Sequence, residues 1–339
     1  MSQDRWDAYE AAKHGRSAVY FANVRKDPDQ AENYFRQALA FDPRHARNLG
    51  NYAAFLARER KDPDRAEQYY KQALDADPND AANLGSYAAF LSAVRKDHAR
   101  AESLFAQAVQ ADPNDALALG RYAVYLSKAR DDQDGAEEQY RRAIFTDPRY
   151  AENLGNYAAF LLNIRGDHAG AEEYLQRAID ADPRHADNLA RYAALLHIER
   201  KDPERALEYS RRAVESGTND AEILANHAGF LLAAGSLDEG LRFLDRVETL
   251  SAPTSLQLEV ALYRYAHDPD AGHRGEGLRA AKRLLEEGIR SAGWVLDRNV
   301  EQAGRSGHPE QALLAALALV VSDEQSISSL APFEAWQAT

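Results

Sequence analysis

The dipeptide Asp-Pro recurs at Asp42-Pro43, Asp77-Pro78, Asp112-Pro113, Asp147-Pro148 and Asp182-Pro183, a step of 35 residues each time. A fixed period in the range of about 20 to 50 residues marks a stacked-repeat architecture, because one short unit cannot bury its apolar face alone. Between these marks the text is nearly copied. Asn48-Leu49-Gly50-Asn51-Tyr52-Ala53-Ala54-Phe55-Leu56 returns at 83–91 and at 153–161, with a looser copy at 118–126.

Leu49, Tyr52, Ala53 and Leu56 stand at i, i+3, i+4 and i+7, one stripe of a helix. Ala66, Tyr70 and Ala73 make a similar stripe on a second helix, and Arg60-Lys61-Asp62-Pro63 separates the two. In that turn Asp62 is placed to cap the second helix, with Pro63 at its first position, where a missing N–H costs nothing. The same logic predicts Asp77 as cap and Pro78 as first turn of the next unit. Helices joined by such short turns form antiparallel pairs, so the expected class is all-α.

These residues resemble the tetratricopeptide repeat family. Its pattern of large, large, small and large positions on one helix, then Ala, aromatic, Ala and Pro on the next, is met by Leu84, Tyr87, Ala88, Leu91, Ala101, Phe105, Ala108 and Pro113. It is met again by Leu119, Tyr122, Ala123, Leu126, Ala136, Tyr140, Ala143 and Pro148, and by Leu154, Tyr157, Ala158, Leu161, Ala171, Leu175, Ala178 and Pro183. Leu stands where the family usually has Trp, and one extra residue between the helices gives 35 in place of 34. The Leu-x-x-Tyr-Ala-x-Phe run also resembles the half-a-tetratricopeptide repeats of RNA-processing scaffolds. The resemblance implies a right-handed α-solenoid of antiparallel helix pairs, acting as a non-catalytic scaffold or adaptor that holds a peptide or partner protein in its concave groove. About seven repeats are read over 8–252, the first of them a cap in which His14 and Ser17 replace large apolar residues. Degenerate helical repeats and a C-terminal cap follow over 253–339. There Asp268 to Gly275 is the longest candidate loop, and Phe333 and Trp336 are expected to dock onto the last helices.

The side of the first helix opposite the core stripe should face the groove. Taken repeat by repeat it carries Arg16, then Arg47, Asn51 and Arg58, then Ser86 and Ala93, then Arg121 and Lys128, then Glu152, Asn156 and Asn163, then Asp187 and Arg191. The candidate partner-binding residues are therefore Arg16, Arg47, Asn51, Arg58, Arg121, Lys128, Asn156, Asn163 and Arg191. This wall is less acidic than the chain as a whole and points to an acidic partner segment. The chaperone-tail clamp of some family members is not supported, because Ala54, Ala89 and Ala159 stand where its asparagine would. Gly50, Gly85, Gly120 and Gly155 each sit within a helix at a cost of about 1 kcal/mol relative to alanine. An aromatic of a neighbouring repeat, from the set Phe55, Phe90, Tyr125 and Phe160, is expected to nest over each. Arg25, Arg60, Arg95, Arg130, Arg165 and Arg200 form a ladder at the end of the first helices, expected to satisfy late carbonyls there. Asp27, Asp62, Asp97, Asp132, Asp167 and Asp202 follow two residues later as caps.

No chemistry competes with this reading. The chain has no cysteine, which removes disulfides, thiolate metal sites and cysteine nucleophiles. The 10 histidines form no paired ligand set, and Gly272, Gly275 and Gly277 fit neither phosphate-loop spacing. No catalytic residue, metal or cofactor is expected. A net charge of −13 with no basic block makes nucleic acid an unlikely partner, though an RNA-associated scaffold stays open as the alternative, as does an accessory subunit docking through residues 253–339. Self-association through exposed aromatics of terminal repeats is also open. No apolar run approaches bilayer length and the N-terminus lacks a signal pattern, so the cytoplasm is the expected location and membrane binding is not expected. Arginine favoured over lysine fits a high-GC bacterial gene.

Overall fold

The computed structural model describes residues 2–250, 252–291 and 294–339, and helices are the only regular elements among them. The chain divides into two compact units, Met1–Gly166 and Asp167–Thr339. The first holds α1 (Gln3–Tyr20), α2 (Pro28–Phe41), α3 (Ala46–Arg58), α4 (Pro63–Ala76), α5 (Ala81–Phe90), α6 (His98–Ala111), α7 (Ala116–Tyr125), α8 (Gln133–Thr146) and α9 (Ala151–Phe160). The second holds α10 (His168–Ala181), α11 (Ala186–Ile198), α12 (Pro203–Glu215), α13 (Ala221–Ala233), α14 (Leu237–Glu248), α15 (Thr254–His267), α16 (Ala271–Glu286), α17 (Asp297–Arg305), α18 (Gln311–Val321) and the one-turn α19 (Glu334–Gln337). Within each unit successive helices pack as pairs, α1 on α2, α3 on α4 and so on, as an α-solenoid requires.

The turn inside each pair follows local chemistry. The carboxylates of Asp27, Asp62, Asp97 and Asp132 accept from the backbone N–H groups of Gln30, Arg65, Arg100 and Gly135 at 3.0–3.1 Å, and Asp167 and Asp202 do the same in the second unit. The extra residue of the 35-residue period is taken up just before this cap. At Phe21–Arg25, Leu91–Arg95, Leu126–Arg130 and Leu161–Arg165 the last turn of the first helix widens to π geometry, and the next residue turns left-handed. A π turn holds one more residue than an α turn, so the insertion leaves the core stripe in register.

Asp77 does not cap the next helix. It ends α4, its carboxylate accepting from the Asn79 N–H at 3.1 Å, and Asp80 caps α5 by accepting from the Asn83 N–H at 2.9 Å. Here Pro follows a finished helix and blocks its continuation, whereas at Asp62-Pro63 it opens one.

Successive pairs in the first unit are joined by three contacts that repeat with the period. The ring of the second helix lies against two rings of the next first helix: Phe35 on Tyr52 and Phe55, Tyr70 on Tyr87 and Phe90, Phe105 on Tyr122 and Tyr125, Tyr140 on Tyr157 and Phe160, at 5.1–5.6 Å between centroids. Phe55 and its equivalents therefore pack on a ring of the preceding pair, and the expected aromatic is not over Gly50, Gly85 or Gly120. At Gly50 and Gly120 an asparagine takes that place, and at Gly85 it is Ala118. A Cβ built on Gly50 would stand 1.8 Å from Asn83 Oδ1, and one on Gly120 would stand 1.9 Å from Asn153 Oδ1. Asn48, Asn83 and Asn153 each donate Nδ2 to a carbonyl of the preceding first helix, at Ala11, Ala46 and Ala116, over 2.7–3.0 Å. The glycine is the hollow that lets this buried amide reach its acceptor, and a helix–helix hydrogen bond offsets its cost in helix propensity.

The arginine ladder is the third contact, and it acts between pairs, not on its own helix end. Arg60 donates to Glu32 and Asp29 at 2.7 Å each, Arg95 to Glu67 and Asp64 at 2.8 and 2.7 Å, and Arg165 to Glu137 and Asp134 at 2.8 and 2.7 Å. The carboxylates lie in the first turns of the preceding second helices, where helix dipoles already favour negative charge.

In the second unit the glycine-bearing stretch 268–275 is mostly helix, contrary to the expected loop. Asp270 accepts from the His273 N–H at 3.0 Å and starts α16 at Ala271. Gly277 is pressed onto α15, where a Cβ would come within 2.7 Å of the Ala261 carbonyl. Trp336 docks as expected. It is buried, its carbonyl accepts from Lys282 Nζ at 2.8 Å, and the same ammonium lies 5.3 Å from its ring.

On α15, Glu259 is mostly removed from solvent beside Tyr263, its carboxylate taking a hydrogen bond from the Ser291 hydroxyl. Burial pushes its pKa up to about 7, Ser291 pulls the other way and Glu222 adds to the rise. The folded state then holds a proton that the unfolded chain loses near 4.5, so stability falls as pH rises from about 4.5 to 7. Glu259→Gln should remove that fall and stabilise the second unit at pH 8 by about 1 kcal/mol, less than full burial costs because the carboxyl keeps some contact with water. Urea denaturation at pH 4.5 and pH 8 of both proteins checks this.

Candidate groove and its relatives

In the first unit the first helices of successive pairs, α1 to α3, α3 to α5, α5 to α7 and α7 to α9, pack on one another more closely than the second helices do. The side lined by first helices is therefore the shorter, inner side of the stack. Seven of the expected partner-binding residues fall in two rows of equivalent positions on it, and Arg47 stands one turn before Asn51 on α3. One row runs Arg16, Asn51, Ser86, Arg121, Asn156, and the other runs Asn23, Arg58, Ala93, Lys128, Asn163, each step being 35 residues.

The stack brings neighbours within a row into contact. Arg58 Nη2 donates to Asn23 Oδ1 at 3.2 Å, and Arg121 Nη1 donates to the Ser86 hydroxyl, both pairs one period apart. Burial pushes the Tyr70 phenol up to about 12, and the positive charges of Arg121 and Arg58 pull it back. Arg16, Arg47, Arg58, Lys128 and Asn163 are exposed, and Asn51, Arg121 and Asn156 are half-buried. Arg191 is half-buried on α11 and belongs to the second unit, apart from the other eight. Tyr150 is not among the expected residues. Its hydroxyl donates to Glu152 at 2.9 Å, and burial foremost, then Glu152, raises its pKa, with Arg121 near enough to oppose the rise.

The electrostatics separate this face from the edge that carries the arginine ladder. Arg60, Arg95 and Arg165 are each neutralised by two carboxylates at 2.7–2.8 Å. On the inner side Arg58 and Arg121 rest on an amide and a hydroxyl, and Arg16, Arg47 and Lys128 have no carboxylate partner among the described residues. A chain with a net charge of −13 thus keeps five uncompensated cations on one face of one unit.

The second unit has a separate cleft of about 540 Å3 between α14, α15 and α16. Its one deep cation, Arg264, is held by Asp245, by Glu248 at 3.1 Å and by Asp268 at 3.5 Å, which leaves it no charge to offer. Among the described residues no group of three or more His, Asp or Glu side chains could hold a metal ion, and no helix is long and apolar enough to cross a membrane.

Helix pairs stacked with a fixed period, joined by recurring contacts and lined on the inner side by first helices, define a helical-repeat protein. The chain contains tetratricopeptide repeats: family models described as tetratricopeptide repeat match residues 25–83 and 165–221. Among solved structures, the chain is similar to the hetero-tetramer Cut9-Hcn1 of the APC/C, with a TM-score of 0.63 at 15% identity, over 86% of this chain and 54% of that one. It is similar to a monomeric IFIT1 mutant with m7Gppp-AAAA, with a TM-score of 0.58 at 13% identity, over 85% and 67%. A thermophilic tetratricopeptide protein of Thermus thermophilus matches at 18% identity and a TM-score of 0.49, over 56% and 100%. Identities this low speak for the fold alone. No curated protein matches the sequence.

Proposed function

We propose that the chain is a non-catalytic scaffold or adaptor whose inner face in the first unit binds an acidic segment of a partner protein, with residues 8–252 forming the repeat array and 253–339 a terminal segment of degenerate repeats. The observation that carries this reading is the contrast in charge compensation. Ladder arginines are spent on carboxylates within the protein, while Arg16, Arg47, Arg58, Arg121 and Lys128 are left with neutral partners or none. Cations held in a groove raise the local concentration of an anionic ligand and give it orientation. Asn51, Asn156 and Asn163 add amides suited to an extended backbone.

Titration of a fluorescein-labelled glutamate-rich peptide, followed by anisotropy, tests it. The Arg16/Arg58/Arg121/Lys128→Glu variant should bind at least about tenfold more weakly, since each exposed pair contributes roughly 0.5 kcal/mol or more. The four side chains lie outside the core, so helix content should not change. Equal affinity of both proteins would remove the groove as the site. Tighter binding of a labelled oligouridine, with affinity falling steeply as salt is added, would favour the RNA-scaffold alternative.

A further inference from the structure

The outer face of the first helix pair carries the residues of an inter-repeat junction with nothing seated on them. Inside the first unit, Phe55, Phe90, Tyr125 and Phe160 are buried on a ring of the preceding pair, and Arg60, Arg95 and Arg165 hold the Asp and Glu of that pair's second helix. The equivalent residues in the first pair are Tyr20 and Arg25. Tyr20 is 48% exposed against 2% for Phe55, and Arg25 is exposed with no carboxylate among the described residues. At 100° per residue, Tyr9 lies within about 20° of Tyr20 around α1 and Trp6 within about 40°. Both are exposed, at 53% and 45%, so the stripe runs on along the two extra turns by which α1 exceeds the other first helices.

We propose that this face is a docking site for an α-helix of another protein carrying the pattern Asp/Glu-x-x-Glu-x-x-aromatic. The internal junctions supply the template. Asp29, Glu32 and Phe35, then Asp64, Glu67 and Tyr70, then Asp134, Glu137 and Tyr140, each present two carboxylates to an arginine and a ring to an aromatic. A helix with the same spacing would give Arg25 its carboxylates and Tyr20 its ring. A second copy of this chain is the weaker occupant, because these three are its only instances of the pattern and all are engaged internally. This site lies on the side of the first pair turned away from the second pair and does not depend on the groove reading.

The probe is a side-chain-stapled helical peptide of residues 62–77, titrated into the full chain by fluorescence anisotropy, the staple being needed because so short a helix is marginal in water. Saturable binding is expected, weakened at least about tenfold by Tyr20→Ala and by Arg25→Glu. Arg25→Glu should recover affinity for the peptide carrying Asp64→Arg and Glu67→Arg. Both substitutions fall on exposed side chains, and circular dichroism should show unchanged helix content. Absence of saturable binding, or binding indifferent to both variants, overturns the proposal. So does a dimer in sedimentation velocity that Tyr20→Ala abolishes, which would make a second copy the occupant.

Discussion

Tyr52→Ala is expected to destabilise the first unit by about 4 kcal/mol, the largest effect of any single substitution considered. The side chain is 1% exposed and its ring packs 5.3 Å from Phe35 and 4.7 Å from Tyr69. Its hydroxyl donates to Glu32 at 3.0 Å and accepts from Arg65 at 2.8 Å, so one residue ties the first pair to the second by both packing and a polar network. Truncation leaves a cavity that rigid neighbouring helices cannot close, and it removes one of the hydrogen bonds that Glu32 accepts. Tyr52→Phe keeps the ring and should cost only about 1 kcal/mol. Because repeats touch only their neighbours, the loss should be local. Hydrogen exchange followed by mass spectrometry should show lost protection over α1 to α4 and unchanged protection over α15 to α18. Uniform loss across the chain would show that the stack unfolds as one body.

Gly50→Ala and Gly85→Ala should move stability in opposite directions although both replace a helical glycine by the best helix former. An added Cβ at Gly50 meets Asn83 Oδ1 at 1.8 Å, so the amide must leave its site and give up its bond to the Ala46 carbonyl. Losing a buried polar bond costs about 1–3 kcal/mol and overpacking adds to it, against a gain of about 1 in propensity. A net loss of about 2 kcal/mol is expected. At Gly85 the facing residue is Ala118, and the Cβ would meet its Cα at 3.4 Å and its Cβ at 3.5 Å, ordinary packing distances. Gly85→Ala should therefore stabilise by about 1 kcal/mol. The double variant Gly50→Ala with Asn83→Ala reproduces the Gly85–Ala118 arrangement plus one methyl and should recover most of the loss. Urea denaturation of the four proteins closes this cycle, and additive effects at Gly50 and Asn83 would contradict the asparagine-in-hollow contact.

What could be read from the sequence was what local chemistry dictates. The Asp62-Pro63 start, the core stripe of Leu49, Tyr52, Ala53 and Leu56, and the two-helix period depend on residues within one or two turns of each other. Misreadings came where the deciding partner lies about one period away. Phe55 and Gly50 lie on opposite shoulders of one helix, and no helical wheel tells which residue of the next repeat each will meet. The signal was nevertheless present, since Asn48, Asn83 and Asn153 each follow Gly15, Gly50 and Gly120 by 33 residues. Ala190, the first departure from glycine in that series, is followed at the same distance by Ile223. Arg60 reads as a partner for its own helix end because the carboxylates it holds, Asp29 and Glu32, stand 31 and 28 residues back. The stretch 268–275 looked like a loop by glycine count, but the cap at Asp270 and the close approach of Gly277 to α15 keep it helical. The cleft beside Arg264 had no repeat pattern to announce it. Of the groove residues, the rows were legible from periodicity. The neutral partners of Arg58 and Arg121, which set the charge of the inner face, required coordinates.

Binding of partners against the inner side of the first helices is tested most directly by a photo-crosslinking residue, p-benzoylphenylalanine, placed at Ala93 in the groove row or at Phe145, which is 90% exposed on α8. Each protein is irradiated with the labelled glutamate-rich peptide and the adduct is read by mass. A saturable adduct is expected from position 93, lost when Arg58 and Arg121 are changed to Glu, and none from position 145. An adduct from position 145 alone, or one from position 93 that survives the charge reversal, would contradict groove binding.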